Sequence, residues 1–360
     1  MRIGIDAGAL GITDERLKVG VYRVIVNLLR ELTQLDVKNE YILYSFNPID
    51  RKLMHMFGPI TENRVLWPIK GWFTMRLLLE LRMHPVDVFL GLSQAVPHGC
   101  KGVIGFVYDV GFLYHPDAYP GSYQRLTLQT KNLVSRSERI IAISKSVKQD
   151  LMKEYSIDAS RVTVAYPGVD AQFGISVDPL VSQHPYFLFV GALKRGKNIA
   201  MLLYAFSRFL SQSEKRYDLY IVGGDYWKDP EIETVIAEKN LSKRVILMGH
   251  VPDNDLPAYY QGAAAFVSPS LHEGFCLPAA EAMACGCPVI GSTTGAMPEI
   301  IGNAGITVNP GDANAIALAM ETVSSRPRTR MAMSKKGLRK AQKFSWRTFA
   351  ETVFEAIQSV

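Results

Sequence analysis

Short apolar runs alternate with longer amphipathic stretches along the chain. Ile3–Ile5, Tyr41–Phe46, Val86–Leu90, Val103–Val107, Arg139–Ile143 and Val162–Ala165 are brief, rich in β-branched residues and nearly continuous in apolar character. Such runs are typical of parallel strands buried on both faces. Between them, apolar positions recur at helical spacing over Val21–Leu35, Ser122–Ser135 and Lys145–Tyr155, and Ser144 stands where an N-cap belongs. The rhythm then restarts. Strands at Tyr186–Val190, Asp218–Val222, Val245–Gly249, Ala263–Ser268 and Pro288–Gly291 alternate with helices at Ile199–Leu210, Pro230–Lys239 and Pro278–Ala284. Two more helical stretches follow at 312–325 and 328–343.

Two β/α series in tandem predict an α/β protein of two doubly wound parallel-sheet domains. The seam is Phe173–Pro185, rich in Pro, Ser and Asp and without periodicity. It divides an N-terminal domain, 1–175, from a C-terminal one, 183–344. Ligands of such sheets bind outside the carboxyl ends of the strands, so two facing domains would hold a ligand in a cleft between them.

Length agrees with two domains, since 360 residues is two to three times a usual domain. An apolar share of 48% with 21% charged residues excludes a disordered chain, a collagen or a coiled coil. No apolar run approaches the roughly 18 residues that span a bilayer. Asp6 puts a carboxylate where a signal peptide needs its apolar core, so a cytoplasmic protein is expected. Net charge is +6, divided evenly between the halves with only a weak local excess, so nucleic acid is not an expected partner. Four cysteines are too few for a disulfide scaffold. Cys285-Gly286-Cys287 has the wrong spacing for the commoner zinc knuckle and reads as buried reduced thiols.

The most informative segment runs from Ser268 to Gly286. Pro278 is placed like a first helical residue and Gly286 like one just past the end. A helix N-terminus offers free N–H groups and a partial positive charge to an anion. Glu273 lies in the preceding loop and Glu281 one turn into the helix. Two carboxylates beside an anion site suit an anion that carries hydroxylated groups on both sides, because a carboxylate accepts hydrogen bonds from sugar hydroxyls.

His-Glu-Gly-Phe-x-Leu-Pro-x-x-Glu-Ala-Met-Ala-x-Gly-x-Pro-Val-Ile, from His272 to Ile290, resembles the nucleotide-sugar signature of the family 4 retaining glycosyltransferases. Similar segments extend over nearly the whole chain. They are Val19–Leu32, Tyr108-Asp109-Val110, Ile141–Ser146, Pro167–Asp170, Phe189–Leu193, Arg195–Asn198 and Phe344–Trp346. The nearest likeness is to the bacterial mannosyltransferase-like branch. The resemblance implies the GT-B fold, two facing Rossmann-like domains, with 345–360 as a final helix crossing back onto the first. Phe349, Val353, Phe354 and Ile357 have the spacing of that helix.

It also implies roles. Glu281 would bind the nucleotide ribose and Glu273 would lie near the donor sugar. Backbone N–H groups at Gly274, Phe275 and Cys276 would cradle sugar and phosphate, with Leu277 beside them. Most relatives carry Gly at 276; since Cys does not readily take φ > 0, the loop is expected nearer the β region. Lys197 would neutralise the leaving diphosphate, the task a metal performs elsewhere, so no metal or cofactor is expected. Ala192 stands where many relatives have Arg, and Arg195 or Lys194 is expected to compensate. Gly8 and Gly20 would let backbone approach a ligand closely, Gly20 on the donor side and Gly8 on the acceptor side. Asp109 would orient or activate the acceptor hydroxyl, beside Tyr108 where relatives have His.

Asp253-Asn-Asp255 resembles an Asp-x-Asp metal motif, but its place before Leu256-Pro257 predicts N-capping. Residues 64–84 mix basic, aromatic and apolar side chains, as either an interfacial amphipathic helix or an ordinary Rossmann helix would. The implied reaction moves a hexose, mannose favoured, from GDP-mannose or a UDP-sugar to a hydroxyl of a growing, lipid-linked surface glycan such as an O-antigen or exopolysaccharide. Anomeric configuration would be retained and domain closure would exclude water; on the interfacial reading, 64–84 would touch the cytoplasmic face of the inner membrane. The alternatives are a nucleotide-sugar epimerase and a non-catalytic sugar-nucleotide-binding subunit of a glycan-assembly complex. The first lacks an evident added acid and base; the second draws on the departures at Tyr108 and Ala192.

Overall fold

The computed structural model describes residues 1–14, 18, 20–67, 71–175, 178–224 and 229–360. Val19 of the glycine-bearing loop, 68–70 of the basic–aromatic stretch and 176–177 of the seam lie outside the described residues. The chain divides into two compact units. One comprises Met1–Val110, Gly121–Gly168 and Ser345–Val360; the other comprises Gly111–Pro120 and Val169–Phe344.

The first unit holds a seven-stranded sheet of β1 (Arg2–Asp6), β2 (Glu40–Ser45), β3 (Thr61–Val65), β4 (Val88–Gly91), β5 (Val103–Val107), β6 (Arg139–Ala142) and β7 (Val162–Val164). Its order is β3-β2-β1-β4-β5-β6-β7, with parallel pairing throughout. Ile3 faces Tyr41 on one side and Val88 on the other, so β1 is central and buried on both faces. That is why its sequence is apolar without alternation.

The second unit holds a six-stranded sheet of β8 (Tyr186–Val190), β9 (Asp218–Val222), β10 (Val245–Gly249), β11 (Ala265–Ser268), β12 (Val289–Ser292) and β13 (Ile306–Val308). The order is β10-β9-β8-β11-β12-β13, again parallel. Its core gathers Phe187 and Phe189 of β8 with Leu202, Phe206 and Phe209 of the Ile199–Gln212 helix. In each sheet the order reverses beside the first strand of the unit, between β1 and β4 and between β8 and β11. Loops leaving the carboxyl ends there part and leave room for a ligand.

Two strands lack the apolar signal. β3, Thr-Glu-Asn-Arg-Val, is a half-exposed edge strand with a mostly polar sequence. β13 is a three-residue edge strand. The stretch 64–84 is not one helix. Arg64 and Val65 belong to β3, Trp72–Arg76 form a π-helical turn, and only Leu77–Met83 is α-helical. Arg64 bonds Glu62 and Glu80, which draws it into the fold. Asp255 occupies the N-cap position of the Leu256–Gly262 helix, but its side chain makes no capping bond, contrary to the expectation from its spacing. Ser144 does cap the Lys145–Tyr155 helix, accepting from the Val147 N–H at 3.1 Å.

The Trp346–Gln358 helix packs within the first unit, against the Gly20–Leu35 helix and β5. Phe349, 1% exposed, meets Phe106 of β5 with ring centroids 6.5 Å apart and Trp346 at 5.9 Å. The large aromatic area explains why this terminal segment is ordered. Replacing Phe349→Ala is expected to cost roughly 3–5 kcal/mol of stability, read as a lower denaturation midpoint at unchanged slope. A loss under 1 kcal/mol would show the helix to be peripheral to folding.

Candidate functional site

In the second unit the two loops beside the order reversal are 191–198, after β8, and 269–276, after β11. They are joined by an ion pair. Lys197 Nζ lies 2.5 Å from Glu273 Oε1, with the two side chains 16% and 13% exposed. Burial pushes the Glu273 carboxyl up. The Lys197 ammonium, the Ser270 hydroxyl and the charge of Lys194 outweigh that and hold it below its ordinary value. Glu273 is therefore a carboxylate at neutral pH. Ser270, fully buried, hydrogen-bonds the Glu273 carboxylate through its hydroxyl, whose oxygen lies 3.1 Å from that of Ser268.

Backbone geometry fixes the loops. Gly223, at φ +152°, crosses the 191 peptide so closely that a Cβ would lie 1.9 Å from the Gly191 carbonyl oxygen. Gly295, at φ +57°, lies behind Glu273, where a Cβ would come within 2.5 Å of the Glu273 carbonyl oxygen. The Ala296 N–H also donates to that carbonyl at 2.8 Å. Asn198 takes φ +58° and its amide donates to the carbonyls of Pro269 and Pro310, at 3.0 and 2.8 Å. One residue after Lys197, it ties the lysine's loop to that of Glu273.

The Leu277–Ala284 helix follows, with Pro278 in its first turn and Gly286 just past its end at φ +72°. Cys276 precedes it at φ 72°, ψ 72°. The expected extended conformation is thus not the one adopted: cysteine takes a backbone conformation that glycine takes more cheaply. Its side chain is buried, which pushes the thiol up to about 12, with the Glu273 charge adding to the effect. Gly274 and Phe275 are buried and Leu277 is half-buried; the Phe275 ring meets Phe344 edge-on at 5.1 Å. Glu281, 1% exposed, accepts from the Tyr260 hydroxyl at 3.0 Å. Arg195 is half-exposed, 4.0 Å from the buried Asp229.

His272 stacks on Tyr114, centroids 5.2 Å apart, and Lys194 lies over the Tyr119 ring at 5.9 Å. These contacts place Gly111–Pro120 in the second unit. Neither His272 nor Ser270 was singled out by sequence reasoning, because their roles depend on partners beyond their own motif or on a buried hydroxyl.

In the first unit, Gly8 follows β1 and donates its N–H to Asp6 Oδ1 at 3.2 Å; the Ser93 N–H, after β4, donates to Oδ2 at 3.1 Å. Burial outweighs these bonds and raises the Asp6 carboxyl. Tyr108 is 9% exposed and donates its hydroxyl to the Leu92 carbonyl at 2.8 Å. Gln94, at φ 55°, brackets the Tyr108–Asp109 dipeptide: its amide oxygen accepts from the Tyr108 N–H and its NH₂ donates to the Asp109 carbonyl, each at 3.0 Å. Asp109 is half-buried. Gly20 is the exposed first residue of its helix, with open space around it. Among the described residues no three His, Cys, Asp or Glu side chains converge as a metal site requires.

The family described as glycosyl transferases group 1 matches residues 175–340, and that described as glycosyltransferase family 4 matches residues 19–173. The chain belongs to the family 4 glycosyltransferases. This transferase is 26% identical over 278 residues to O-antigen chain mannosyltransferase B of Escherichia coli, covering 74% of this chain and 72% of that one. It is 30% identical over 222 residues to O-antigen chain mannosyltransferase RfbU of Salmonella typhimurium, covering 61% and 60%. The match therefore spans less than two thirds of that second relative. The solved structure of a sucrose-phosphate synthase from Thermosynechococcus elongatus superposes with a TM-score of 0.79 at 20% identity, over 99% and 98% of the chains. The fold is GT-B.

Two outcomes are expected. Glu273→Gln leaves the Lys197 ammonium without its carboxylate and should cost the transferase about 3 kcal/mol. The Glu273 value is lowered by folding, so its contribution is complete above the unfolded value near 4.5 and fades as pH falls below it. The gap between wild type and variant in denaturation should narrow over that acid range; a gap constant with pH would refute the pairing. Burial raises all four thiols, that of Cys100 to about 11, but Cys100 is only half-buried whereas Cys276, Cys285 and Cys287 are enclosed. A thiol reagent should therefore titrate one cysteine slowly, and faster as pH rises, in the native protein, and four rapidly in denaturant.

Proposed function

We propose that the protein transfers a hexose, with retention of configuration, from a nucleoside-diphosphate sugar to a hydroxyl of a growing surface glycan. Mannose is the favoured sugar and a lipid-linked chain the acceptor. The single observation that carries the reading is the Lys197–Glu273 pair beside the N-terminus of the Leu277–Ala284 helix, at the order reversal of the second sheet. A cation and a helix N-terminus together favour a diphosphate, and a carboxylate kept ionised between them favours hydroxyls.

Lys197, with Arg195 near the loop's edge, stabilises charge that develops on the departing diphosphate. Stabilisation of this kind is worth most in a partly buried site such as this one. A second cation need not come from a metal. Glu281 holds the ribose hydroxyls, Glu273 the donor sugar, and the N–H groups of Gly274, Phe275 and Cys276, with Leu277, line the sugar and phosphate. Gly20 approaches the donor. On the acceptor side, Asp109 orients the attacking hydroxyl, with Gly8 and Tyr108 shaping the pocket. The Gln94 bonds to the Tyr108 N–H and the Asp109 carbonyl support this, since they fix the backbone from which Asp109 projects. The acceptor attacks on the face the diphosphate leaves, without a protein nucleophile.

The names of the relatives support mannose and an O-antigen-type product. Exposed Val65, Trp67, Met75, Leu79 and Met83 support a peripheral contact of 64–84 with the inner membrane, where a lipid-linked acceptor would lie. No described helix is long and apolar enough to cross a membrane.

Thermal unfolding with GDP, UDP or ADP, with and without EDTA, tests the donor site. One nucleotide at about 100 times its dissociation constant should stabilise by roughly 2.7 kcal/mol, unaffected by EDTA, and Glu281→Ala should abolish the shift. GDP selectivity supports mannose and UDP selectivity redirects the sugar. No stabilisation by any of the three would overturn the site.

A further inference from the structure

The segment 326–343 carries eight basic residues, Arg326, Arg328, Arg330, Lys335, Lys336, Arg339, Lys340 and Lys343, and no acidic one. Averaged over half the chain this excess disappears; in the structure it is concentrated on the Pro327–Ala341 helix. At 100° per residue, Arg328, Lys335 and Arg339 fall in one row, with Lys336 beside it. All four are exposed, as is Lys343 just beyond the helix end. Among the described residues none of these five makes an ion pair. The opposite side is buried through Met333, Gly337 and Ala341, and a Cβ on Gly337 would lie 3.3 Å from Met283 of the Leu277–Ala284 helix. Packing therefore prevents the helix from rolling and holds its cationic row outward. From Arg328 to Arg339 the row is about 17 Å long.

Uncompensated cations in a rigid row repel one another and gain from an anionic counter-surface. A single-stranded nucleic acid would draw on stacking platforms as well as charge, and 326–343 contains no aromatic side chain. What accompanies the row is Met331, 70% exposed at its margin, an apolar side chain that a bilayer boundary would accept. We propose that the outward face of the Pro327–Ala341 helix, with Lys343, docks the second unit on an anionic phospholipid surface. This surface is separate from 64–84 and does not depend on the donor assignment. Its coupling to function would be direct, because the docked helix packs on the helix whose N-terminus faces the proposed donor diphosphate.

The test is co-sedimentation of the full chain with vesicles of phosphatidylcholine alone or with 30% phosphatidylglycerol, at two salt concentrations. Binding should require the anionic lipid and weaken with salt. Each cation near the surface contributes about fivefold, so Lys335→Ala, Lys336→Ala and Arg339→Ala together should lower affinity on the order of 100-fold. The variant's denaturation midpoint should match wild type, since the positions are exposed. Lys335→Arg with Lys336→Arg should keep the binding. Trp67→Ala with Met75→Ala should leave the dependence on anionic lipid in place. Three outcomes would overturn the proposal: no preference for anionic vesicles, an unchanged affinity in the triple variant, or the same loss seen only with single-stranded DNA.

Discussion

The site of the second unit depends on one buried ion pair. Taking Lys197 and Glu273 out of water is costly, and the cost is offset only while the two remain together and the carboxylate keeps further donors. Ser270 supplies one, and its hydroxyl is oriented by Ser268. The pair joins the loop after β8 to the loop after β11, the two strands that flank the order reversal. A loop that moved alone would strand a charge. Electrostatics thus holds open loops in register where sheet hydrogen bonding has ended.

Main-chain geometry around the pair is correspondingly tight. Gly223 and Gly295 occupy points where a Cβ would meet backbone, so the 191 and 273 peptides can approach their neighbours. Cys276 is the exception. It accepts a left-handed conformation with a buried side chain, and such strain persists only where the surroundings over-determine it. Those surroundings are Gly295 and Ala296 behind Glu273 and the Phe275–Phe344 contact beside it. Cysteine at φ +72° therefore carries a local conformational cost that this packing must offset.

The alternation of strands and helices was legible because most strands carry a short, nearly continuous apolar run, even the edge strand Val245–Gly249. Val103–Val107, Tyr186–Val190, Asp218–Val222 and Val245–Gly249 have the same limits in sequence and structure. The misses share a cause. β3 and β13 are edge strands, one polar and one three residues long, so burial left no continuous apolar signature. Asp255 has the residue type and place of a cap, but type and place do not fix the side-chain direction. Glu273 and Lys197 could be singled out from their motifs, whereas their pairing across 76 residues could not. Gln94 and Ser270 were invisible for a related reason: an amide that clasps residues 14 and 15 positions away, and a hydroxyl oriented by burial, leave no local pattern.

The two units use the order reversal differently. In the second, charge is gathered there: Lys197, Glu273, Lys194 and a helix N-terminus, with the carboxylate held ionised. In the first, charge is withdrawn. Asp6 is buried with its carboxyl raised, Tyr108 turns its hydroxyl to a carbonyl, and Gln94 clasps backbone with a neutral amide. A cation-rich loop suits a substrate that departs carrying negative charge, because it stabilises the departing group more than the intact one. A neutral, rigid frame suits a substrate that need only be positioned, because orientation requires fixed backbone and not field. The contrast in electrostatics, more than any one residue, is what the proposed division rests on, with the leaving group at the second unit and the entering hydroxyl at the first.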